Sequence, residues 1–374
     1  MRIAMIGTRG IPGGYSGFET AVEELSVRLA ARGHDVTVYC RPHVIKYQGE
    51  EYKGVKLVKL PTVPEKHLDT FAHTCISTFH AMIKGRYDVA IYFIAGNSPF
   101  VFLPRLTGVP TALNVDGLDS QREKWSAPAK FYLRLAERLA PIAATQIITD
   151  SQVVRRYYQD RFGASSVYIP YGADMPQVEG TKWLDRFGIE PREYILFVGR
   201  LVPENCAHVL VEAFRRLDTD EKLVIVGDAP YADEYIRELK RNAGKNVIFT
   251  GYVFGEGYRQ LSQNALLFVV PTVVGGTHPV IVEALAAGNC VIVSDHEPNL
   301  ETVGDAGISF SARMGAADLG EKISALLANP EMIEKYRVLA KERAQKVYNW
   351  DKITEQYEQL CNDLVKKKRA GNKT

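Results

Sequence analysis

Three clusters along the chain join glycine to charged or hydroxyl side chains, and each directly follows an apolar run. The first is Gly7-Thr8-Arg9-Gly10-Ile11-Pro12-Gly13-Gly14-Tyr15-Ser16-Gly17. Five glycines in eleven residues let backbone N–H groups approach a ligand closely, and a helix N-terminus just beyond them favours an anion. The competing reading is a long turn that holds nothing, and so many glycines weaken a turn that has no use for them. A dinucleotide cofactor would call for G-x-G-x-x-G here, which the loop lacks. It would also call for an acid ending the next strand, but Asp35 precedes that strand and Arg41 follows it.

The second cluster is Gly199-Arg200-Leu201-Val202-Pro203-Glu204-Asn205. Arg200 is a fixed cation at a strand end, suited to a diphosphate because guanidinium stays charged and binds phosphate bidentately. An ordinary surface pair with Glu204 is the plain alternative. The third runs from Pro271 to Gly288 and contains Gly275-Gly276-Thr277-His278-Pro279. Proline at the first turn of a helix leaves free amides for an anion or for sugar hydroxyls. Glu283, one turn further in, is a lone carboxylate on an apolar helix and needs a partner, either a ligand hydroxyl or another protein group.

The elements that must position these clusters alternate between strand and helix. Arg2–Ile6 reads as a buried parallel strand ending at Gly7. Phe18, Ala21, Val22, Leu25 and Leu29 then recur at helical spacing, with Ser16 and Glu19 as a capping box and Gly33 as the stop. Val36–Cys40 is the next strand, and others are predicted at 55–60, 89–94, 111–115, 146–149 and 167–169. A second series starts at Tyr194–Gly199, with further strands at 222–226, 247–250, 266–270 and 290–294. Two such series predict an α/β protein of two doubly wound, Rossmann-like domains facing across a cleft. The join is placed near 170–178, where Pro170, Gly172 and Pro176 punctuate the chain. Residues 1–170 form the first expected domain and 171–352 the second. A terminal helix at about 353–374 is expected to pack back on the first, its Lys366-Lys367-Lys368-Arg369 tail frayed.

A length of 374 residues, 46% of them apolar and 24% charged, describes ordinary globular domains and excludes coiled-coil and collagen readings. Residues 1–170 carry 21 Lys and Arg against 15 Asp and Glu, an excess of +6; residues 171–374 carry 25 against 29, or −4. A basic first half suggests an anionic partner, a phosphate or a membrane surface, as readily as surface variation. Five scattered cysteines without a C-x-x-C pair fit a reducing cytoplasm better than a disulfide framework or a zinc site. No apolar signal segment follows the basic start, and the best charge-free stretch, 89–104, is too interrupted to span a bilayer.

Together the three clusters resemble a retaining family 4 glycosyltransferase of the GT-B fold, most densely over 197–214 and 269–294. The opening Gly-Thr-Arg-Gly-Ile-Pro-Gly-Gly-Tyr-Ser-Gly-Phe-Glu-Thr, with Asn114-Val115-Asp116-Gly117-Leu118 and Pro203-Glu204-Asn205, is similar to a bacterial rhamnosyltransferase-like branch. The resemblance implies transfer from a nucleotide-diphosphate sugar, dTDP-rhamnose favoured, to a lipid-linked or polysaccharide glycan acceptor in cell-surface glycan biosynthesis. It implies no cofactor, no metal and no nucleic acid.

Residue by residue, the resemblance puts Arg200 on the donor diphosphate and Glu283, the second glutamate of a Glu-x7-Glu motif, on the nucleotide ribose. Gly13 and Gly14 match the loop near the diphosphate and acceptor, with Tyr15, Phe18 and Glu19 on the acceptor side. Gly227 and Gly251-Tyr252-Val253 match the nucleobase region; Gly276, Thr277, His278 and Pro279 match the turn whose amides reach the donor sugar. Asn205 stands where the family has a lysine, Gly275 where it has the first glutamate, and Asp116 where it has a histidine. Asp116 is thus a group that orients a hydroxyl or accepts a proton, or else a turn residue. Asp116, Arg200 and Glu283 form the catalytic set so implied.

Other signals carry less. Asp218-Thr219-Asp220 is a DxD, the metal signature of a different glycosyltransferase fold, set in a polar turn. His67, His73 and His80 share rough helical spacing without accompanying ligands, as solvated or core histidines would. The polar tail has no aromatics for nucleic acid to stack on. Between Gln121 and Ala140, Arg122, Lys124, Lys130, Arg134 and Arg138 interleave with Trp125, Phe131, Tyr132, Leu133, Leu135 and Leu139. A helix opened by Pro128 would put Phe131, Leu135 and Leu139 on one face and cations on another. That suits peripheral contact with an anionic membrane at its inner face, or else a core helix whose stripe faces the sheet. The rival functions are a non-catalytic sugar-nucleotide-binding protein on the same fold and an NAD-linked oxidoreductase or epimerase.

Overall fold

The computed structural model describes residues 1–13, 17–65, 68–118, 120, 125–230 and 232–371. The expected Ser16 cap, Gly14, Tyr15, His67, Arg122 and Lys124 lie outside the described residues. The chain divides into two compact units, Met1–Tyr171 with Trp350–Thr374, and Gly172–Asn349.

The first unit holds β1 (Arg2–Ile6), β2 (Asp35–Cys40), β3 (Glu51–Tyr52), β4 (Val55–Lys59), β5 (Val89–Phe93), β6 (Thr111–Asn114), β7 (Gln146–Thr149) and β8 (Ser166–Tyr168). They lie in the order β3-β4-β2-β1-β5-β6-β7-β8, parallel throughout except for the short antiparallel β3–β4 pair. Alternation along each strand feeds two cores. Ile3 and Met5 face the helix Gly17–Ala31 and the C-terminal helix, whereas Ala4 and Ile6 face helices Ala127–Ala143 and Gln152–Phe162.

The C-terminal helix Trp350–Gly371 belongs to this unit because Trp350, Ile353, Tyr357, Leu360, Leu364 and Val365 continue its core. Arg28 and Arg32 reach Asp351 and Glu358 at 3.3 and 3.0 Å, and His34 Nε2 meets Glu358 at 2.8 Å. The lysine tail expected to fray is helical through Gly371. Buried Leu364 and Val365 hold that last stretch, while Lys366 and Lys367 stay exposed.

The second unit holds β9 (Tyr194–Val198), β10 (Lys222–Val226), β11 (Val247–Gly251), β12 (Leu267–Val270), β13 (Cys290–Ser294) and β14 (Gly307–Phe310). The order is β11-β10-β9-β12-β13-β14, all parallel. Tyr194, Leu196 and Val198 enter one core, Ile195 and Phe197 the other. β3 and β14 were not foreseen: the first is two residues long, and the second, Gly-Ile-Ser-Phe, offers too little apolar alternation to stand out.

His73 is fully buried on the helix Asp69–His80, where Nε2 donates to the Cys40 carbonyl at 3.1 Å. Burial, then the Arg41 guanidinium, hold its pKa down at about 4, against 6.5. The folded state keeps the imidazole neutral where the unfolded chain takes up a proton. Stability from this site is therefore whole above pH ~6.5 and is lost as the pH falls toward 4. The loss should be on the order of 3 kcal/mol. Urea titrations at pH 7 and pH 4.5 should show a steeper fall for the native chain than for His73→Gln; equal falls would refute the assignment.

Candidate functional site

In a parallel sheet every strand delivers its following loop to the same edge, and binding crevices form where the strand order reverses direction. In the second unit that reversal lies between β9 and β12. The loops leaving those two strands are Gly199–Cys206 and Pro271–His278, the second and third clusters of the sequence. Topology therefore brings together two segments some seventy positions apart.

The loop after β9 is fixed by its neighbours. Gly199 N–H donates to Val226 at 3.0 Å and Leu201 N–H to Asp228 at 3.3 Å. Gly227, at φ +136°, lies so close that a Cβ there would sit 1.9 Å from the Gly199 carbonyl oxygen. Asn205 turns its side-chain amide back onto the Arg200 carbonyl at 2.8 Å, so the residue in the lysine position closes the loop. Arg200 itself is exposed, and its guanidinium forms no ion pair with Glu204 or any other described residue. A cation held by its backbone and free at its tip suits an anionic ligand.

The loop after β12 is held through two histidines. His278 Nε2 donates to the Val274 carbonyl at 2.9 Å, and His296 Nε2 to the Gly275 carbonyl at 3.0 Å. Gly275 takes φ +102°. Gly276 is buried, Thr277 and His278 half-buried, and Pro279 opens the helix Pro279–Ala286. Glu283 on that helix is partly buried, and Tyr258 O–H donates to its Oε2 at 2.6 Å. Burial raises the carboxyl above its ordinary value, and the tyrosine hydrogen bond opposes the rise. Oε1 keeps no hydrogen bond among the described residues, so Glu283 retains one acceptor for a ligand hydroxyl.

After β11, Tyr252 and Phe254 stack with centroids 5.7 Å apart at 16°, both exposed, while Val253 is buried in the core. Tyr258 and Phe254 escaped the sequence reading. Tyr258 acquires meaning from Glu283, a partner that only the fold supplies, whereas Phe254 stacks on its near neighbour Tyr252.

In the first unit the order reverses between β1 and β5, beside the first glycine cluster. Gly7, at φ +106°, leaves room for Asn97, whose side-chain amide bridges the Phe93 and Gly7 carbonyls at 2.7 and 3.3 Å. The loop was expected to offer free amides to an anion. Instead Arg9 N–H donates to Glu19 Oε1 at 3.1 Å and Gly13 N–H to Glu23 Oε2 at 2.7 Å. Carboxylates of the helix Gly17–Ala31 occupy two of the amides and place negative charge where an anion was anticipated. Glu19 is buried, and its Oε2 lacks a hydrogen-bond partner among the described residues. Phe18 packs edge-on against Phe93 and Tyr171, at 6.4 and 5.9 Å.

Asp116, after β6, is half-buried and adopts φ +56°, a conformation that non-glycine residues pay for in strain. Its N–H donates to Asn114 Oδ1 at 3.0 Å, and Tyr171 O–H reaches its Oδ1 at 3.4 Å. Ile94, after the adjacent β5, is also at positive φ, +72°. Two strained residues at neighbouring strand ends mark this edge as a functional candidate. Asp218 and Asp220 sit elsewhere: exposed, just before β10, at the edge opposite these loops. Among the described residues no group of His, Cys, Asp and Glu could hold a metal ion.

The Gly199–Gly227 approach has a direct consequence. Gly227→Ala should lower stability by roughly 1–3 kcal/mol or more. Gly244→Ala, where a Cβ meets nothing within 4 Å, should change it by less than ~1 kcal/mol. Thermal unfolding of the two variants checks this, and similar losses in both would show that the close approach is not limiting.

Residues 181–347 match the family described as Glycosyl transferases group 1, and residues 1–174 match a domain of unknown function, DUF1972. The O-antigen chain mannosyltransferase C of Escherichia coli is 26% identical over 267 residues, 68% of each chain. Sucrose-phosphate synthase from Thermosynechococcus elongatus superposes with a TM-score of 0.82 at 21% identity, covering 97% of this chain and 98% of that one. Anabaena Alr3699/HepE, solved in complex with UDP-glucose, gives 0.79 at 18% identity over 96% and 99% of the two chains. The two parallel-sheet units have the GT-B fold, and the group 1 domain with these relatives supports a GT-B glycosyltransferase.

Proposed function

We propose that the chain transfers a sugar, with retention of configuration, from a nucleotide-diphosphate donor to a lipid-linked or polysaccharide glycan acceptor. The observation that carries this reading is the unpaired Arg200 guanidinium on a rigid loop beside the Gly275–Pro279 turn, within the segment matching glycosyl transferases group 1. Arg200 and the first-turn amides at Pro279 offset charge as it develops on the departing diphosphate. The sugar C1–O bond to phosphate breaks and its electron pair stays with the phosphate oxygen. That oxygen takes the proton of the acceptor hydroxyl, whose own oxygen forms the new bond to C1 on the same face. Glu283 holds the ribose, Tyr252 flanks the base while Val253, packed in the core, lends only its backbone there, and Asp116, Glu19 and Phe18 serve the acceptor.

The motif likeness of the opening loop favours dTDP-rhamnose as donor. The named relatives supply the competing donors, since one is called a mannosyltransferase and another was solved with UDP-glucose. The offset of diphosphate charge by Arg200 also makes transfer independent of divalent metal. The commitment of Asn205 to the Arg200 carbonyl leaves the loop one cation short, which keeps a non-catalytic sugar-nucleotide-binding protein as the second reading.

Turnover of dTDP-rhamnose, GDP-mannose and UDP-glucose, each with and without EDTA, separates these readings. One donor should be consumed equally in both conditions. Arg200→Ala should cut kcat/KM by about 30- to 150-fold, equivalent to the roughly 2–3 kcal/mol of a charge-assisted phosphate bond, with no change in Tm. Unaltered turnover in that variant would remove Arg200 from the diphosphate. Loss of turnover in EDTA, restored by manganese, would overturn the metal-independent route.

Peripheral contact with an anionic membrane is part of the same proposal. No described helix is long and apolar enough to cross a bilayer. The helix Ala127–Ala143 buries Leu133, Ala136, Ala140 and Ala143 but leaves Phe131, Leu135, Arg134 and Arg138 exposed, the pattern of an interfacial helix. Each cation near an anionic surface contributes on the order of 1 kcal/mol. Sedimentation with phosphatidylglycerol vesicles should show binding at low salt that Lys130→Glu with Arg134→Glu abolishes; binding indifferent to those changes would exclude this helix.

A further inference from the structure

On the first unit, helices Ala127–Ala143 and Gln152–Phe162 and Ser120 of the loop after β6 border two adjoining hollows. The smaller, of about 400 Å³, is lined by Ser120, Lys130, Arg134, Tyr157 and Arg161. The larger, of about 820 Å³, shares Arg134, Tyr157 and Arg161 and continues along Phe131, Leu135 and Ile142. One end is therefore cationic and the other apolar. Phe131 and Ile142 are each 72% exposed and Leu135 47% exposed, so much of this apolar wall stays open among the described residues.

Among the described residues, cations outnumber acids at the cationic end. Lys130, Arg134 and Arg161 form no ion pair among the described residues, and Arg161 instead lies over the Tyr157 ring at 5.7 Å. Glu137 is the one acid in the lining of either hollow. It is buried, with Oε1 accepting from Ser120 N–H at 3.3 Å and Oε2 from Tyr157 O–H at 3.1 Å. Its carboxylate thus braces the wall through these two bonds and forms no ion pair with the cations. Arg138, in the larger hollow, adds a fourth positive charge.

The geometry points to a binding site for an isoprenyl diphosphate, with the diphosphate among Lys130, Arg134 and Arg161 and the chain along Phe131, Leu135 and Ile142. Charge decides between amphiphiles of similar shape. A phosphodiester headgroup carries a single negative charge, whereas a terminal diphosphate carries two to three, matching three cations with one buried acid. An apolar wall of Phe131, Leu135 and Ile142 contributes through area removed from water, which inorganic diphosphate cannot use. The assignment deepens the lipid-linked acceptor reading above. It rests on that reading for the biological role of the lipid, and on the two hollows for the site itself.

Isothermal titration of the full chain with farnesyl diphosphate, inorganic diphosphate and dihexanoyl-phosphatidylglycerol, with no vesicle present, tests it. Farnesyl diphosphate should bind one to one, at least tenfold tighter than either other probe. Lys130→Gln with Arg161→Gln, and separately Ile142→Ser, should each weaken it at least fivefold without changing Tm, because these side chains reach solvent. Arg200→Ala should leave it unchanged. Equal affinity for inorganic diphosphate, equal affinity for the short-chain phospholipid, or loss of binding in Arg200→Ala alone would each overturn the site. Retained farnesyl diphosphate binding in a protein that turns over no sugar nucleotide would leave the site standing and remove the transferase reading.

Discussion

Burial on both faces of two parallel sheets is the constraint from which the remaining structure follows. β1, β5, β9 and β13 each place alternate side chains into apolar clusters on opposite sides, so the interiors of these central strands present no reactive group to solvent. Chemistry is left to the loops at the carboxyl edge and to the outer faces of the covering helices. The close approach of Gly227 to Gly199 shows how tightly the first option is specified: the loop bearing Arg200 is seated on the next strand's turn by backbone alone.

The two units use corresponding edges in opposite electrostatic senses. In the second, a guanidinium and a proline-started helix converge on the point where strand order reverses, an arrangement for a phosphate. In the first, Glu19 and Glu23 take the amides of the glycine-rich loop, an arrangement that repels anions and suits hydroxyls. Net charge by halves runs the other way, +6 where the carboxylates close the loop and −4 where Arg200 stands open. Part of that basic excess, Arg134 and Arg138, is displayed on the outer face of Ala127–Ala143. Counting charge along the chain thus registers a basic half but not which surface displays it.

Much of the architecture was legible. Strand–glycine–helix order gave both doubly wound series, and the apolar runs fell within a residue or two of β1, β2, β9, β10 and β13. The second and third clusters were legible as strand-end loops, because each directly follows an apolar run that forms β9 or β12. Partners were not legible. Tyr258 on Glu283, Tyr171 on Asp116 and Glu23 on Gly13 join segments separated by 10 to 55 positions, and no local pattern encodes such meetings.

The sequence by itself determined the fold class and the identity of the residues that end each buried strand, because alternation and glycine placement act within a few residues. It did not determine which of them are free to act. Arg200 and Arg161 are both arginines near the end of an element, yet one stands open on a braced loop and the other borders a cationic hollow. The amides of Arg9 and Gly13 looked available and are occupied. The lysine-rich tail looked loose and is helical, because Leu364 and Val365 bury against a core begun by residues some 350 positions earlier. Occupancy of a donor, an acceptor or an apolar face depends on what distant segments bring against it, and only tertiary packing sets that.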